Sequence, residues 1–386
     1  MKKLNILFVC DALTHYTSGS MVSALRFAEG LKERGHKVIF IAAQQKDKEK
    51  IDYHKGIKIY RFLSLTFTKR NFPFIVPIKK NIKNILTEEK IDIVHIIDPT
   101  PASILCIKVA KSLGIKTVAH AHLQPEALCL YVPKILQPRI INHLIYKYLI
   151  WIYKKVDAVI CPSDFGKSML RRYNQKIPFF VISNGVKLSE FKIIDTLDYI
   201  KKYNFSKKDK RILYVGRLDR EKSVHSLIES MTYIQNKVKN VKLDIVGSGD
   251  LRIELEKLAK KIGVRDRVNF LGKLPNSELL MVYNTCDIFV LPSVAELEGM
   301  VVLEAMACGK PIVVSNSKLS ASSGLVQDNG FVFQLHDPKD LAEKILTLLM
   351  NEKIRKRMIN KSIQEIKKYD LKLSITKLEK VYYSII

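Results

Sequence analysis

The sequence predicts an α/β protein made of two tandem doubly wound parallel sheets. Three observations point there. The chain has 386 residues, enough for two domains of ordinary size. Short apolar runs alternate with amphipathic stretches along most of it, the pattern of strand, crossover helix and parallel strand. The alternation pauses once, over a polar stretch of weak periodicity at 187–210, and then resumes.

Leu4–Cys10 is expected as a buried first strand. Met1-Lys2-Lys3 before it resembles the start of a leader peptide, but the run stops at Asp11 and no small-residue cleavage site follows. Further strands are expected near 37–43, 91–97, 115–121, 157–161 and 178–182, with helices over 20–34, 101–113 and 164–173. Ser183-Asn184-Gly185 is a turn signal that closes this series. The second series places strands near 211–215, 241–246, 267–271, 287–291 and 311–314, and 337–386 reads as helices only. The expected division is a first domain over 1–187 and a second over 188–369, with a last helix at about 370–386 packing back on the first. Ligands of such sheets bind at the carboxyl ends of the strands.

Hydrophobic residues at 47% and charged residues at 27% exclude a disordered chain. Lys plus Arg number 65 against 38 Asp plus Glu, a formal charge of +27 that calls for an anionic partner. No nucleic-acid-binding module is recognisable, so acidic lipid and phosphorylated small molecules remain. The six cysteines are scattered without a C-x-x-C pair, which argues for a reducing compartment and against zinc or disulfides. No apolar stretch reaches bilayer-spanning length.

The most specific segment is LPSVAELEGMVVLEAMACGKP, Leu291 to Pro311. It reads as strand, loop and helix start, with Glu296 and Glu304 eight residues apart and Gly299 between them. Backbone N–H groups at Gly299, Met300 and Val301 would be free at the helix start, where the dipole favours an anion. A carboxylate one turn into the helix, Glu304, suits a vicinal diol such as a ribose, and a loop carboxylate such as Glu296 or Glu298 suits sugar hydroxyls. Arg217 can hold a phosphate with two N–H groups, and Lys222 supplies a point charge.

This segment resembles the E-x7-E motif of the GT-B fold retaining glycosyltransferases of the family 4 type (glycosyl transferases group 1). Other pieces match in order. Tyr214-Val215-Gly216-Arg217-Leu218-Asp219-Arg220-Glu221-Lys222 resembles the loop that holds the donor diphosphate. Val246-Gly247-Ser248-Gly249-Asp250 resembles the following Gly-rich turn, and Phe270-Leu271-Gly272-Lys273 the base-binding loop. The resemblance implies two Rossmann-like domains facing across a cleft, the first on the acceptor side and the second binding the nucleotide sugar. It implies a catalytic set of His122, Glu296, Arg217 and Lys222, with Gly19, Gly216, Gly247, Lys273, Glu298, Gly299, Met300, Val301 and Glu304 around the donor. His120 and His95 are rivals of His122. Two departures stand out: Ser18-Gly19 replaces a usual pair of glycines, and Ser223 replaces the usual glycine after Lys222. The Glu-Leu-Glu-Gly string resembles the Glu-Leu-Gln-Gly of diacylglycerol glucosyltransferases.

Without a D-x-D sequence no catalytic metal is expected, and no cofactor beyond the donor, a UDP- or GDP-sugar. Two acid-free stretches are rich in cations and aromatics. Tyr53–Thr87 carries Lys55, Lys58, Arg61, Lys69, Arg70, Lys79, Lys80 and Lys83 among Phe62, Phe67, Phe72 and Phe74. Ala127–Val156 carries Lys134, Arg139, Lys147, Lys154 and Lys155 among Tyr131, Tyr146, Tyr148, Trp151 and Tyr153. Such stretches suit an anionic membrane surface or, more plainly, a solvated basic face. The expected function is transfer of a hexose to a membrane lipid or lipid-linked glycan, by a cytoplasmic protein peripheral to the inner face of the membrane. The alternatives are a soluble acceptor, a nucleotide-sugar epimerase of similar fold, and an inactive membrane-surface module.

Overall fold

The computed structural model describes residues 2–13, 19–45, 49–66, 72–136, 138–197, 206 and 208–386. The chain divides into two compact units: Met1–Pro125 with Arg139–Asn184 and Leu371–Ile386, and Glu126–Pro138 with Gly185–Asp370. The short segment Glu126–Pro138, which a cut at 187 would leave in the first domain, groups with the second unit.

The first half of the chain supplies β1 (Asn5–Val9), α1 (Gly19–Glu33), β2 (Lys37–Ala43), β3 (Ile51–His54), β4 (Ile57–Phe62), β5 (Ser64–Thr66) and β6 (Pro73–Ile75). It continues with α2 (Lys79–Glu88), β7 (Ile93–Ile96), α3 (Pro101–Ser112), β8 (Lys116–His120), α4 (Pro125–Cys129), α5 (Pro138–Tyr153), β9 (Ala158–Cys161), α6 (Asp164–Arg171) and β10 (Phe179–Val181). Eight strands form one sheet in the order β10-β9-β8-β7-β1-β2-β4-β3. All neighbours are parallel except the edge pair β3/β4. Alternation along β1 divides two apolar layers: Leu7 and Val9 enter one core, and Ile6 and Phe8 the other. Thr100 and Ser163 cap α3 and α6, each accepting a backbone N–H three residues on.

The second unit contains β11 (Lys210–Val215), α7 (Val224–Lys237), β12 (Val241–Val246), α8 (Arg252–Lys261), β13 (Val268–Gly272), α9 (Asn276–Thr285), β14 (Ile288–Leu291) and β15 (Ala295–Glu296). It ends with α10 (Met300–Ala307), β16 (Ile312–Ser315), β17 (Leu319–Ser320), β18 (Gly330–Phe333), α11 (Pro338–Met350) and α12 (Glu352–Glu365). Its parallel sheet runs β13-β12-β11-β14-β16-β18. In chain order that is 3-2-1-4-5-6, so the topological switch point lies between β11 and β14. The last helix, α13 (Leu371–Ile385), belongs to the first unit. Ile375 of α13 lies against Gly30 of α1, where a Cβ would meet its Cδ1 at 1.9 Å.

Strands β3 to β6 and helices α2 and α5 lie largely in the two stretches that the sequence marks by cations and aromatics. Part of that material is structural. Arg61 is buried on β4, donating to the carbonyls of Leu13 and Ala43 and to Asp52, and Phe62 beside it is core. Lys55 and Lys58 are paired with Glu29 and Glu89. Arg61 and Phe62 therefore belong to the packing of the first unit, while Lys55 stays exposed beside its partner. Phe67, Lys69 and Arg70, with the Thr17-Ser18 pair before Gly19, lie outside the described residues.

Candidate active site

The switch point of the second unit is built from loops that pass unusually close to one another. The N–H of Gly216, after β11, donates to Val246 O at 3.0 Å, and the N–H of Leu218 donates to Ser248 O at 3.0 Å. Gly247 has φ +136, and a Cβ there would sit 1.8 Å from Gly216 O. Only glycine fits that crossing. Gly216 and Gly247, expected as donor contacts, thus have a visible packing role. Lys273, just past β13, is exposed.

Arg217 leaves this crossing and meets two carboxylates, Asp219 Oδ2 at 2.5 Å and Glu221 Oε1 at 2.5 Å. Glu221 is 2% exposed. Burial pushes its carboxyl upward, but the Tyr131 hydroxyl, Arg217 and Lys222 outweigh that and hold it below the ordinary range. The carbonyl of Glu221 accepts the N–H of Val294 at 2.7 Å, joining the loop after β11 to the loop after β14. Lys222 Nζ then lies 2.5 Å from Glu296 Oε1, which also accepts from Ser293 Oγ at 2.9 Å. Glu296 is fixed in the short β15, paired in parallel with β17. Arg217, Glu221, Lys222 and Glu296 therefore form one connected network at the carboxyl end of the sheet.

The rest of the motif follows directly. Glu298 is buried, and Gly299 sits at φ +91 as the cap residue of α10, a backbone shape that disfavours any side chain. Met300 and Val301 form the first turn of α10, whose leading N–H groups have no acceptor inside the helix. Glu304, one turn in, is buried and accepts from the Tyr283 hydroxyl at 2.9 Å. It hangs on a separate anchor from the Arg217 network. Among the described residues no group of three or more His, Cys, Asp and Glu is arranged to hold a metal ion.

His122 lies in the first unit, just past β8. Its ring stacks on His120 at 4.1 Å, and His120 stacks on His95 at 5.6 Å. His95 continues to Phe8 on one side, and its Nδ1 lies 2.6 Å from the Tyr382 hydroxyl of α13. Burial pushes His95 and His122 down to about 3, and His120 well below its usual value, so all three are neutral imidazoles. His120 and His95, rivals of His122 in the sequence, are thus its ring partners. Gly19 is the exposed first residue of α1.

Several partners of this site carry no mark in the sequence. Tyr283 is a helical tyrosine like any other until its contact with Glu304 is seen. Tyr131 lies 90 residues from Glu221. Glu221 alone had a local signal, standing four residues after Arg217, the spacing of a helical ion pair.

Two family models account for most of the chain: Glycosyltransferase Family 4 over residues 17–190 and Glycosyl transferases group 1 over residues 195–365. The α-monoglucosyldiacylglycerol synthase of Streptococcus pneumoniae is 25% identical over 88% of this chain and 77% of its own. A sulfoquinovosyl transferase of Arabidopsis thaliana is 25% identical over 98% of this chain and 73% of its own. The N-acetyl-α-D-glucosaminyl L-malate synthase of Bacillus anthracis is 24% identical over 97% and 96%. Among solved structures, a sucrose-phosphate synthase of Thermosynechococcus elongatus superposes with a TM-score of 0.84 at 19% identity, covering 99% of each chain. The Anabaena protein HepE, in complex with UDP and glucose, gives 0.79 at 17% identity over 99% of this chain and 100% of its own. With two Rossmann-like units and both family models matched in tandem, the chain belongs to the GT-B glycosyltransferases of family 4, group 1.

Proposed function

We propose that this glycosyltransferase is a retaining, metal-independent enzyme that moves a hexose from a nucleoside diphosphate sugar to a membrane lipid or lipid-linked glycan. The observation that carries the reading is the network at the switch point, where two cations are each held by carboxylates they can exchange for a ligand. A diphosphate arriving there would draw Arg217 and Lys222 to its oxygens. Glu296, released from Lys222, would then be free for the sugar hydroxyls, and the Gly299–Val301 amides would face the phosphates. Glu304, held by Tyr283, would take the ribose. The proposed role of His122 is to contact the transferred sugar. As the C1–O bond to the leaving phosphate breaks, charge grows on the diphosphate and the cations stabilise it. The acceptor oxygen forms its bond to C1 on the same face and gives its proton to a leaving phosphate oxygen.

The acceptor class rests on α5 and on the relatives. Ile140, Leu144, Tyr148 and Trp151 are exposed along one side of α5, with Arg139 and Lys147 exposed on the same helix and Lys154 just beyond it. Lys155 Nζ sits 4.2 Å over the Trp151 ring. An outward face of this kind suits an anionic bilayer surface, each cation adding roughly 1 kcal/mol. No described helix is long and apolar enough to cross a membrane. One of the relatives above bears the name of an enzyme that forms a glycolipid, which agrees with a protein working peripherally at the inner face. The malate-linked relative favours a soluble acceptor as the second reading.

A thermal-shift panel of UDP- and GDP-sugars, followed by transfer assays with and without EDTA, tests the donor and the metal-independence. Glu304→Ala should lose the donor-induced shift while keeping the unliganded melting temperature. Flotation with anionic liposomes across a salt series tests the surface claim, and protein that stays at the bottom at low salt would remove it.

A further inference from the structure

Glu126–Pro138 belongs to the second unit but lies apart in the chain from that unit's main stretch, Gly185–Asp370. It has no part in that unit's sheet. Yet it reaches the middle of the candidate site with a single phenol. The Tyr131 hydroxyl donates to Glu221 Oε2 and accepts the backbone N–H of Arg220 at 3.1 Å. The Arg220 guanidinium lies 5.8 Å over the same ring. The phenol therefore spans the short helical turn Arg220–Lys222, from its first N–H to the carboxylate in its middle.

That carboxylate is a two-ended holder. One oxygen faces the phenol and the other accepts from Arg217 Nη2 at 2.5 Å. Arg217 also pairs with Asp219, yet its side chain keeps 42% of its surface exposed. A guanidinium fixed on one edge by carboxylates and open on the other is oriented for an anion. The hydrogen bond from Tyr131 takes up charge density on Glu221 that Arg217 would otherwise have to balance. It also fixes the rotamer of a carboxylate that has almost no contact with water.

We propose that Tyr131 is a positioning residue for the diphosphate site, acting through Glu221 on Arg217. The claim rests on the donor reading above and adds a specific consequence to it. Removing the phenol oxygen should weaken recognition of the second phosphate while leaving the rest of the nucleotide site in place. The experiment is calorimetric titration of the full-length protein with UDP, GDP, UMP and GMP, for wild type, Tyr131→Phe, Arg217→Ala and the double variant. Loss of one hydrogen bond to a charged group predicts about tenfold weaker diphosphate binding for Tyr131→Phe. Monophosphate binding should change by less than about twofold, since a distorted fold would weaken both and a lost orientation of Arg217 only one. In the Arg217→Ala background, Tyr131→Phe should have no further effect.

The outcomes separate cleanly. If the wild type binds a nucleoside diphosphate and Tyr131→Phe binds it equally well, the positioning role is overturned and the donor reading stands. An additive loss in the double variant also overturns it, because Tyr131 then acts by another route. Should the wild type bind neither UDP nor GDP, the donor reading and this inference fall together. Glu221→Gln, which keeps the shape of the side chain, should match Tyr131→Phe in the same titration and be non-additive with it.

Discussion

The carboxyl ends of the two sheets handle charge in opposite ways. In the second unit Arg217 and Lys222 each lie against carboxylates, and the network reaches partly exposed side chains. In the first unit burial disfavours the charged forms instead. His95 and His122 are pushed down to about 3, while Asp11 and Asp98 are pushed up to about 7 and 6. Asp11 spends its oxygens on the fold, accepting from Ile75 N at 2.9 Å and Thr100 Oγ1 at 2.8 Å. The cations of the second unit are thus paired with carboxylates, while the histidines of the first are pushed toward their neutral form.

The largest effect should come from an ion pair that no ligand can replace. Arg211 and Asp244, on β11 and β12, are buried and joined by two bonds of 2.8 Å, with Asn269 donating to the same carboxylate. Asp244→Ala leaves a guanidinium in the core and should cost about 3–5 kcal/mol of stability. Chemical denaturation of the variant measures this, and a loss below about 1 kcal/mol would show that solvent reaches the pair. The pairs at the switch point should behave differently. Arg217→Ala or Lys222→Ala should lower transfer by about 10²–10³-fold and cost less stability than Asp244→Ala, since the Arg217 side chain is already 42% exposed and Glu221 keeps the Tyr131 hydroxyl. Steady-state rates with the donor found by thermal shift decide it. A large drop in melting temperature with retained turnover would reverse the assignment.

How far the sequence alone reaches follows the same division. Near-continuous apolar runs such as Leu4–Cys10 and Ile288–Leu291 name the strands, because each must be apolar on both faces. The Leu291–Pro311 string places a loop and a helix start, because Gly299 and the residues after it are local chemistry. Strands β3 to β6 escape, since they are short and the alternation of Ile57, Lys58, Ile59 and Tyr60 is set among the cations and aromatics around it. So do side chains whose meaning comes from distant partners. Tyr283 depends on Glu304, Tyr131 on Glu221, and the stack of His122, His120 and His95 on α13. Spacing in a sequence cannot express a contact across so many residues.

The neutral histidines give the comparison a pH signature. A buried His with a folded value near 3 takes up its proton in the unfolded chain near 6.5 but in the folded chain only near 3. The unfolded state then binds more protons, and stability falls as pH drops through that window, by about 1.4 kcal/mol per pH unit for each group. Asp11 and Asp98 act in the opposite sense, since their raised folded values favour the folded state as pH falls from about 7 toward 4. Wild type therefore shows only the difference between the two sets. His95→Phe should make stability less sensitive to acid by about one proton between pH 6.5 and 4, whatever the variant loses in absolute stability with the Tyr382 bond. An unchanged slope in urea titrations at several pH values would mean that His95 is charged in the folded protein.

The smallest effect sits at a point where the chain departs from its family. Ser223 follows Lys222 and takes φ +50, the left-handed region, at the junction between the Arg220–Lys222 turn and α7. For an L-residue that region costs roughly 1–2 kcal/mol, and glycine avoids the cost. The serine recovers part of it through its Oγ, 3.2 Å from Ser226 Oγ in a buried position. Glycine would also bring more freedom to the unfolded chain, which works against it. The terms leave a net gain of about 0.5–1 kcal/mol for Ser223→Gly, visible as a rise of about 1–3 °C in the unfolding transition of the second unit. Since Lys222 is held by Glu296 and not by Ser223, turnover should stay within about twofold. A loss of stability would mean that the Ser223–Ser226 contact outweighs the backbone strain. The serine would then be a working part of the loop that carries Lys222, and its contact with α7 a further anchor for the cation side of the comparison.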